Sequence, residues 1–240
     1  MDKFTKNIVV QSTETDKNKK YKYYAALCAT QEIAQNHASL LGFGYDELDE
    51  KNCFWVLSRI KLKFNQYPLW RDNIKINTWH KGAYGIFALR DFEFYKGDVL
   101  AIQGTSSWLI LDATTHRMLR PESVITSQSE LSSFPHAIEE PCDKLTSPKE
   151  MEFSYTKTVS YSDIDMLGHT NNAKYLEWAF NGIDPEILYS RDIKECQINF
   201  VAETHIGEKI DIYQKQISED TIFVEGHRDN KVVFQLIMTT

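Results

Sequence analysis

Between Asp163 and Asn172 the chain reads Asp-Ile-Asp-Met-Leu-Gly-His-Thr-Asn-Asn, which puts two carboxylates, an imidazole and two carboxamides into ten residues. A carboxylate held there could attack an acyl carbon or take a proton from water, and the imidazole could support the charge that develops. A β-type run ends near Tyr161, Gly168 permits a sharp turn, and Thr170 or Asn171 can cap a following helix. The cluster therefore falls at a helix N-terminus, where unpaired backbone N–H groups around Asn171 and Asn172 can polarise a carbonyl oxygen. The same residues permit a plainer reading, in which Asp163 and Asp165 make a turn, His169 packs and Asn171 only caps.

Other chemistries lack their residues. There is no G-x-S-x-G, no Walker loop, no G-x-G-x-x-G after a strand and no H-E-x-x-H. Cys28, Cys53, Cys142 and Cys196 are far apart and form no zinc spacing, so a reduced protein with no metal is expected.

The elements that must position the cluster follow from hydrophobic pattern. Ala26, Ala29, Ile33, His37 and Leu40 recur at helical spacing from Tyr24 to Leu41, with Gly42 placed to end the helix. Four β-type runs follow, each bounded by Gly, Pro, Asn or Asp. The second half repeats this plan: a short strand, a helix from about Asn171 to Gly182 with Ala173, Leu176, Phe180 and Ile183 on one face, then four strands. The strand run from Asp192 to Glu203 alternates, with Ile198, Phe200 and Ala202 expected inside and Gln197, Asn199 and Glu203 outside. Between the halves, Thr114 to Glu150 holds four of the six prolines and reads as a linker. The expectation is a duplicated α+β unit in which a twisted antiparallel sheet wraps a long helix.

With 34 acidic and 27 basic residues, the formal charge is −7, so whole-surface attraction to nucleic acid is not expected. The lysines of Asp16–Lys22 read as a solvated stretch. No apolar run approaches the roughly 20 residues of a membrane span, and the N-terminal segment has no signal-peptide pattern, so the cytoplasm is the expected location.

The string D-x-D-x-x-G-H-x-N-N-x-x-Y is longer and more restricted than a turn and cap require, and it resembles the hot-dog thioesterases. The wider chain is similar to the acyl-acyl carrier protein (acyl-ACP) thioesterases. Segments beginning at Gln31, Cys53, Tyr67 and Ser106, then "DIDMLGHTNNAKYLEW" and "INFVAETHIGEKI", match that family in order. The resemblance implies two tandem hot-dog domains, residues 1–120 with the acyl pocket and 151–240 with the catalytic residues, joined by a linker at 121–150.

It also implies roles. Asp165 and His169 match the catalytic aspartate and histidine of the family's D-x-N-x-H segment, with Leu167 where the family has asparagine. Glu203 matches an active-site glutamate, and Thr204 stands where plant relatives carry a cysteine, so Cys196 is left as a core residue. Asn171 and Asn172 are candidate oxyanion residues, while His37 and Trp79 are read as structural. The implied activity is hydrolysis of fatty acyl-ACP to free fatty acid without metal or organic cofactor, with acyl carrier protein as partner. An acyl-CoA thioesterase and a non-catalytic acyl-binding or sensor protein are the alternatives. An acidic carrier needs a local basic surface, for which Arg117 and Arg120, or Lys17 to Lys22, are candidates, and a homodimer stays open.

Overall fold

The computed structural model describes residues 3–125 and 134–240. The chain divides into two compact units, Met1–Cys142 and Asp143–Thr240. In the first, β1 (Phe4–Val9) precedes the long helix α1 (Tyr23–Leu40) and the short α2 (Tyr45–Asp49). Strands β2 (Cys53–Phe64), β3 (Asn73–Tyr84), β4 (Phe87–Lys96) and β5 (Val99–Asp112) follow, then β6 (Met118–Leu119) and α3 (Pro121–Val124). The second unit runs β7 (Glu152–Thr158), α4 (Asn172–Asn181), α5 (Pro185–Ser190), β8 (Glu195–Phe200), β9 (Lys209–Ser218), β10 (Thr221–Arg228) and β11 (Lys231–Thr239).

The two sheets share one plan. The order is β1-β3-β4-β5-β2 in the first unit and β7-β9-β10-β11-β8 in the second, and the pairs β3–β4, β4–β5, β9–β10 and β10–β11 are antiparallel. In each, the first strand leads to the helix, the next strand goes to the far edge and three meander strands fill the middle.

Helix α1 ends as its sequence dictates, with Gly42 at φ +77° just beyond it. It buries Ala26, Leu27, Ile33, Ala34 and His37, but Leu40, expected on the inner face, is 71% exposed because the helix stops there. In α4 the inner face is Ala173, Tyr175, Leu176, Trp178 and Ala179, with Phe180 only half-buried and Ile183 buried beyond the helix end. Tyr175 packs its ring against Phe234 of β11 and Phe200 of β8, with centroids 5.5 and 5.9 Å apart.

The alternation expected along β8 is absent. Gln197 and Asn199 are both buried, because their amides donate to the Asp143 carbonyl at 2.8 and 3.0 Å and the chain there covers the outer face. The strand also ends at Phe200, so Ala202 and Glu203 lie in the loop that follows. A similar cover exists in the first unit, where the Ala137 N–H donates to Asp91 at 2.8 Å and Gln103 donates to the Ala137 carbonyl at 2.7 Å. Much of the stretch read as a linker is thus packed on a sheet, while residues 126–133 of it lie outside the described part.

One glycine is required by packing. Gly226 pairs with Phe234 across β10 and β11, and a Cβ there would stand 2.2 Å from the Phe234 ring. Gly226→Ala is expected to destabilise the protein by about 1–3 kcal/mol through overpacking, read as a lowered denaturation midpoint. No helix among the described residues is long and apolar enough to cross a membrane.

Candidate active site

The candidate residues sit on a tightly bonded turn between β7 and α4. After β7 the chain makes a single 3-10 turn at Tyr161–Asp163, closed by Asp163. The Asp163 Oδ2 accepts from the Ser160 N–H at 2.8 Å and the Ser160 hydroxyl at 3.1 Å, and pairs with Lys157 Nζ at 2.8 Å. Burial alone would raise this carboxyl, but the bonds from Lys157 and Ser160 outweigh it and hold it below the usual carboxylate range. Asp163 is a buried turn residue whose Oδ2 is committed to Ser160 and Lys157.

The next turn presents Asp165. Its N–H donates to the His169 carbonyl at 2.8 Å and its carbonyl accepts from Gly168 at 3.1 Å, with Gly168 at φ +82°. The carboxylate is half-buried, and its Oδ1 accepts from the Leu167 N–H at 2.9 Å. At the position where the family's asparagine was expected, Leu167 therefore orients Asp165 through its backbone. An open hollow beside the carboxylate is lined by Tyr161, Ser162, Ile164, Gly168 and Ile206.

Asn171 caps α4, its Oδ1 accepting from the Ala173 N–H at 2.9 Å, and its own N–H donates to the Asp163 carbonyl at 2.8 Å. These bonds commit Asn171 to the turn and leave the backbone N–H of Asn172, the first helical residue, as the donor at the helix start.

A second segment, between β8 and β9, reaches the turn. Thr170 donates through its N–H to the Thr204 carbonyl at 3.0 Å, and their hydroxyls lie 2.7 Å apart. The Tyr175 hydroxyl is 2.9 Å from the Thr204 hydroxyl, and burial pushes the Tyr175 phenol up to about 12. The Thr204 hydroxyl is a doubly bonded tie, not a nucleophile. This tie brings Glu203 to His169, with Oε2 3.5 Å from Nδ1. Among the described residues no ion pair joins Asp165 to His169.

His205 was not singled out in the sequence, yet its Nε2 lies 3.9 Å from the other Glu203 oxygen and its ring meets the His169 ring edge-on at 5.1 Å. The signal was present: Glu203 and His205 are two apart, which puts them on one side of an extended segment. The segment is braced by Arg228, which donates to the Glu203 carbonyl at 3.1 Å and pairs with Glu208 at 2.7 Å. Glu208 also accepts from the His205 N–H at 2.9 Å. Burial would raise the Glu208 carboxyl, but these bonds hold it below its ordinary value. Donor atoms of His169, Glu203 and His205 all lie within 4.8 Å of one another, so this set is the one that could take a metal ion among the described residues. Zinc ligands at about 2.0–2.2 Å from the ion would need that set to contract. Cys196 is buried on β8, and burial raises its thiol well above the ordinary value.

Comparison with known proteins adds the lineage. A model of the acyl-ACP thioesterase N-terminal domain matches residues 1–127, and one of the C-terminal domain matches residues 146–235. The chain belongs to the acyl-ACP thioesterase family. Among curated members, the chloroplastic oleoyl-acyl carrier protein thioesterase of Coriandrum sativum is 23% identical over 91% of this chain and 64% of its own length. The chain thus spans under two thirds of that relative. A solved acyl-ACP thioesterase from Bacteroides thetaiotaomicron superposes with TM-score 0.89 at 25% identity, covering 99% of this chain and 97% of its own. The 12:0-ACP thioesterase from Umbellularia californica shares the fold, with TM-score 0.85 at 19% identity, covering 99% and 96%.

Proposed function

We propose that this family member hydrolyses the thioester of fatty acyl-ACP and releases free fatty acid, with the two units acting as tandem hot-dog domains and Asp165 as the base that activates water. The observation that carries the reading is the Asp165 Oδ2, which makes no hydrogen bond among the described residues and lies beside an open hollow, on the turn that also holds His169 against Glu203. Asp165 takes a proton from water as the water oxygen bonds to the acyl carbon, and the electron pair moves to the carbonyl oxygen. The Asn172 N–H stabilises that oxygen, a contact of about 3–4 kcal/mol in comparable sites. His169, with Nδ1 3.5 Å from Glu203, is placed to support the charge that develops on the oxyanion and the leaving sulfur. When the C–S bond breaks, the thiolate takes the proton from Asp165 and the catalytic carboxylate is restored.

Exposed Arg117 and Arg120 are proposed to meet the acidic carrier, fatty acid biosynthesis is the proposed setting and the cytoplasm the proposed compartment. Thiol release from acyl-ACP and from acyl-CoA of equal chain length tests the carrier: a higher kcat/KM for acyl-ACP is expected, and the reverse order would make the protein an acyl-CoA thioesterase. Because Leu167 acts through its N–H, Leu167→Asn is expected to change kcat by no more than about three-fold, ~0.7 kcal/mol of barrier. Treatment with EDTA is expected to leave turnover unchanged. Loss of activity restored by zinc would instead make His169, Glu203 and His205 a metal site.

A further inference from the structure

Between α1 and the sheet of the first unit, a cavity is lined by a buried cation with only uncharged acceptors and by a buried donor with no partner among the described residues. Arg90 of β4 is 5% exposed. Its Nη1 donates to His37 Nδ1 at 2.9 Å and to the Thr78 hydroxyl at 3.2 Å, both uncharged acceptors. No carboxylate pairs with it among the described residues. The neighbouring Asp91 points to the other face of the strand, where it meets Lys81 at 3.6 Å and the Ala137 N–H. The second donor is His80. Its Nδ1 accepts from the Gly82 N–H at 3.1 Å, so the ring hydrogen sits on Nε2, and that buried nitrogen has no partner among the described residues.

Both residues line the same cavity of about 50 Å³, with Phe43, Trp55, Leu89 and Trp108 among its apolar walls. About 10–15 Å³ of such volume holds one water, so a small charged group fits. A buried cation without a counter-charge is costly, and supplying the anion offsets that cost.

We propose that this cavity binds a carboxylate at the end of an aliphatic chain, with the Arg90 guanidinium and the His80 Nε2–H as its donors. Burial lowers Arg90 to about 10, which leaves it charged at neutral pH. Burial, then the Arg90 charge, lower His80 to about 4, which keeps it a neutral donor. The apolar walls select a carboxylate on a hydrocarbon chain over a bare inorganic anion. Two sources carry that chemistry: a free fatty acid, or the far end of an ω-carboxyacyl substrate.

Calorimetry with decanoate and decanol on the full chain tests the first source without relying on the proposed function. The hydrolysis of ω-carboxyacyl-ACP against methyl-ended acyl-ACP of equal length tests the second and does rest on it. If the methyl-ended substrate is not hydrolysed, the proposed function fails while the calorimetric arm still stands. A preference for the carboxylate of about ten-fold or more is expected in at least one arm, the usual weight of hydrogen bonds to a charged group. It should vanish in Arg90→Met and weaken in His80→Phe, with thermal melts confirming that each variant folds. If Arg90→Met does not fold, Arg90→Gln takes its place. Equal binding of acid and alcohol together with equal hydrolysis of both substrates would overturn the proposal, as would a preference that survives in the folded Arg90 variant.

Discussion

Asp165→Asn is expected to lower kcat for acyl-ACP by about 10²–10⁴-fold, the range for removing a general base, with KM little changed. The substitution isolates charge from structure. An asparagine carbonyl can still accept the Leu167 N–H that Asp165 Oδ1 accepts at 2.9 Å, and the main-chain bonds to His169 and Gly168 do not involve the side chain. The melting temperature should therefore move little, since a half-buried side chain that keeps its one bond changes stability by about 0.5 kcal/mol or less. Undiminished hydrolysis by the folded variant would remove Asp165 from the reaction.

Two residues earlier, the opposite result is expected. Asp163→Ala deletes the acceptor for Lys157 and for both Ser160 donors and should cost about 2–4 kcal/mol of stability. Lys157 is partly exposed and can turn to water, which keeps the cost below that of a fully enclosed pair. The effect also has a pH signature. The folded carboxyl titrates below its unfolded value of about 3.9, so its contribution is complete above that pH and is lost as pH falls through the lower folded value. Wild-type stability should therefore approach that of Asp163→Ala on acidification below about pH 4, in denaturant titrations at stepped pH. Equal stability of the two at pH 7 would refute the structural role. Together the variants separate one aspartate that holds the turn from one that is proposed to react.

Much of this geometry is local and so was legible in the sequence. Gly168 at the turn, Asn171 as cap and the start of α4 depend on neighbours a few residues away, as do α1 and its glycine stop. What stayed hidden depends on distant chain. Gln197 and Asn199 look like an outward face until the segment at Asp143 covers them. Arg90 and Asp91 are both buried although adjacent, because α1 takes one face of β4 and the 134–142 segment the other. The first strand, Phe4–Val9, escaped because its short run is mostly exposed and is held as an edge on β3. Leu167 stood only as a departure from the family's asparagine, because a side-chain comparison cannot show a backbone N–H aimed at Asp165. His205 had its spacing from Glu203 as a local signal, but its meeting with His169 depends on the distant Thr170–Thr204 tie.

Water activated by Asp165 is proposed to cleave the acyl-ACP thioester. A single turnover with excess protein in ¹⁸O-labelled water, followed by mass analysis of the fatty acid and of the peptide containing Asp165, tests it directly. Stoichiometric thiol release is expected, with one ¹⁸O in the fatty acid and none in the peptide. Label in the Asp165 peptide would mean that the carboxylate attacks the acyl carbon itself, and bound acyl-ACP with no thiol released would contradict the hydrolase reading altogether.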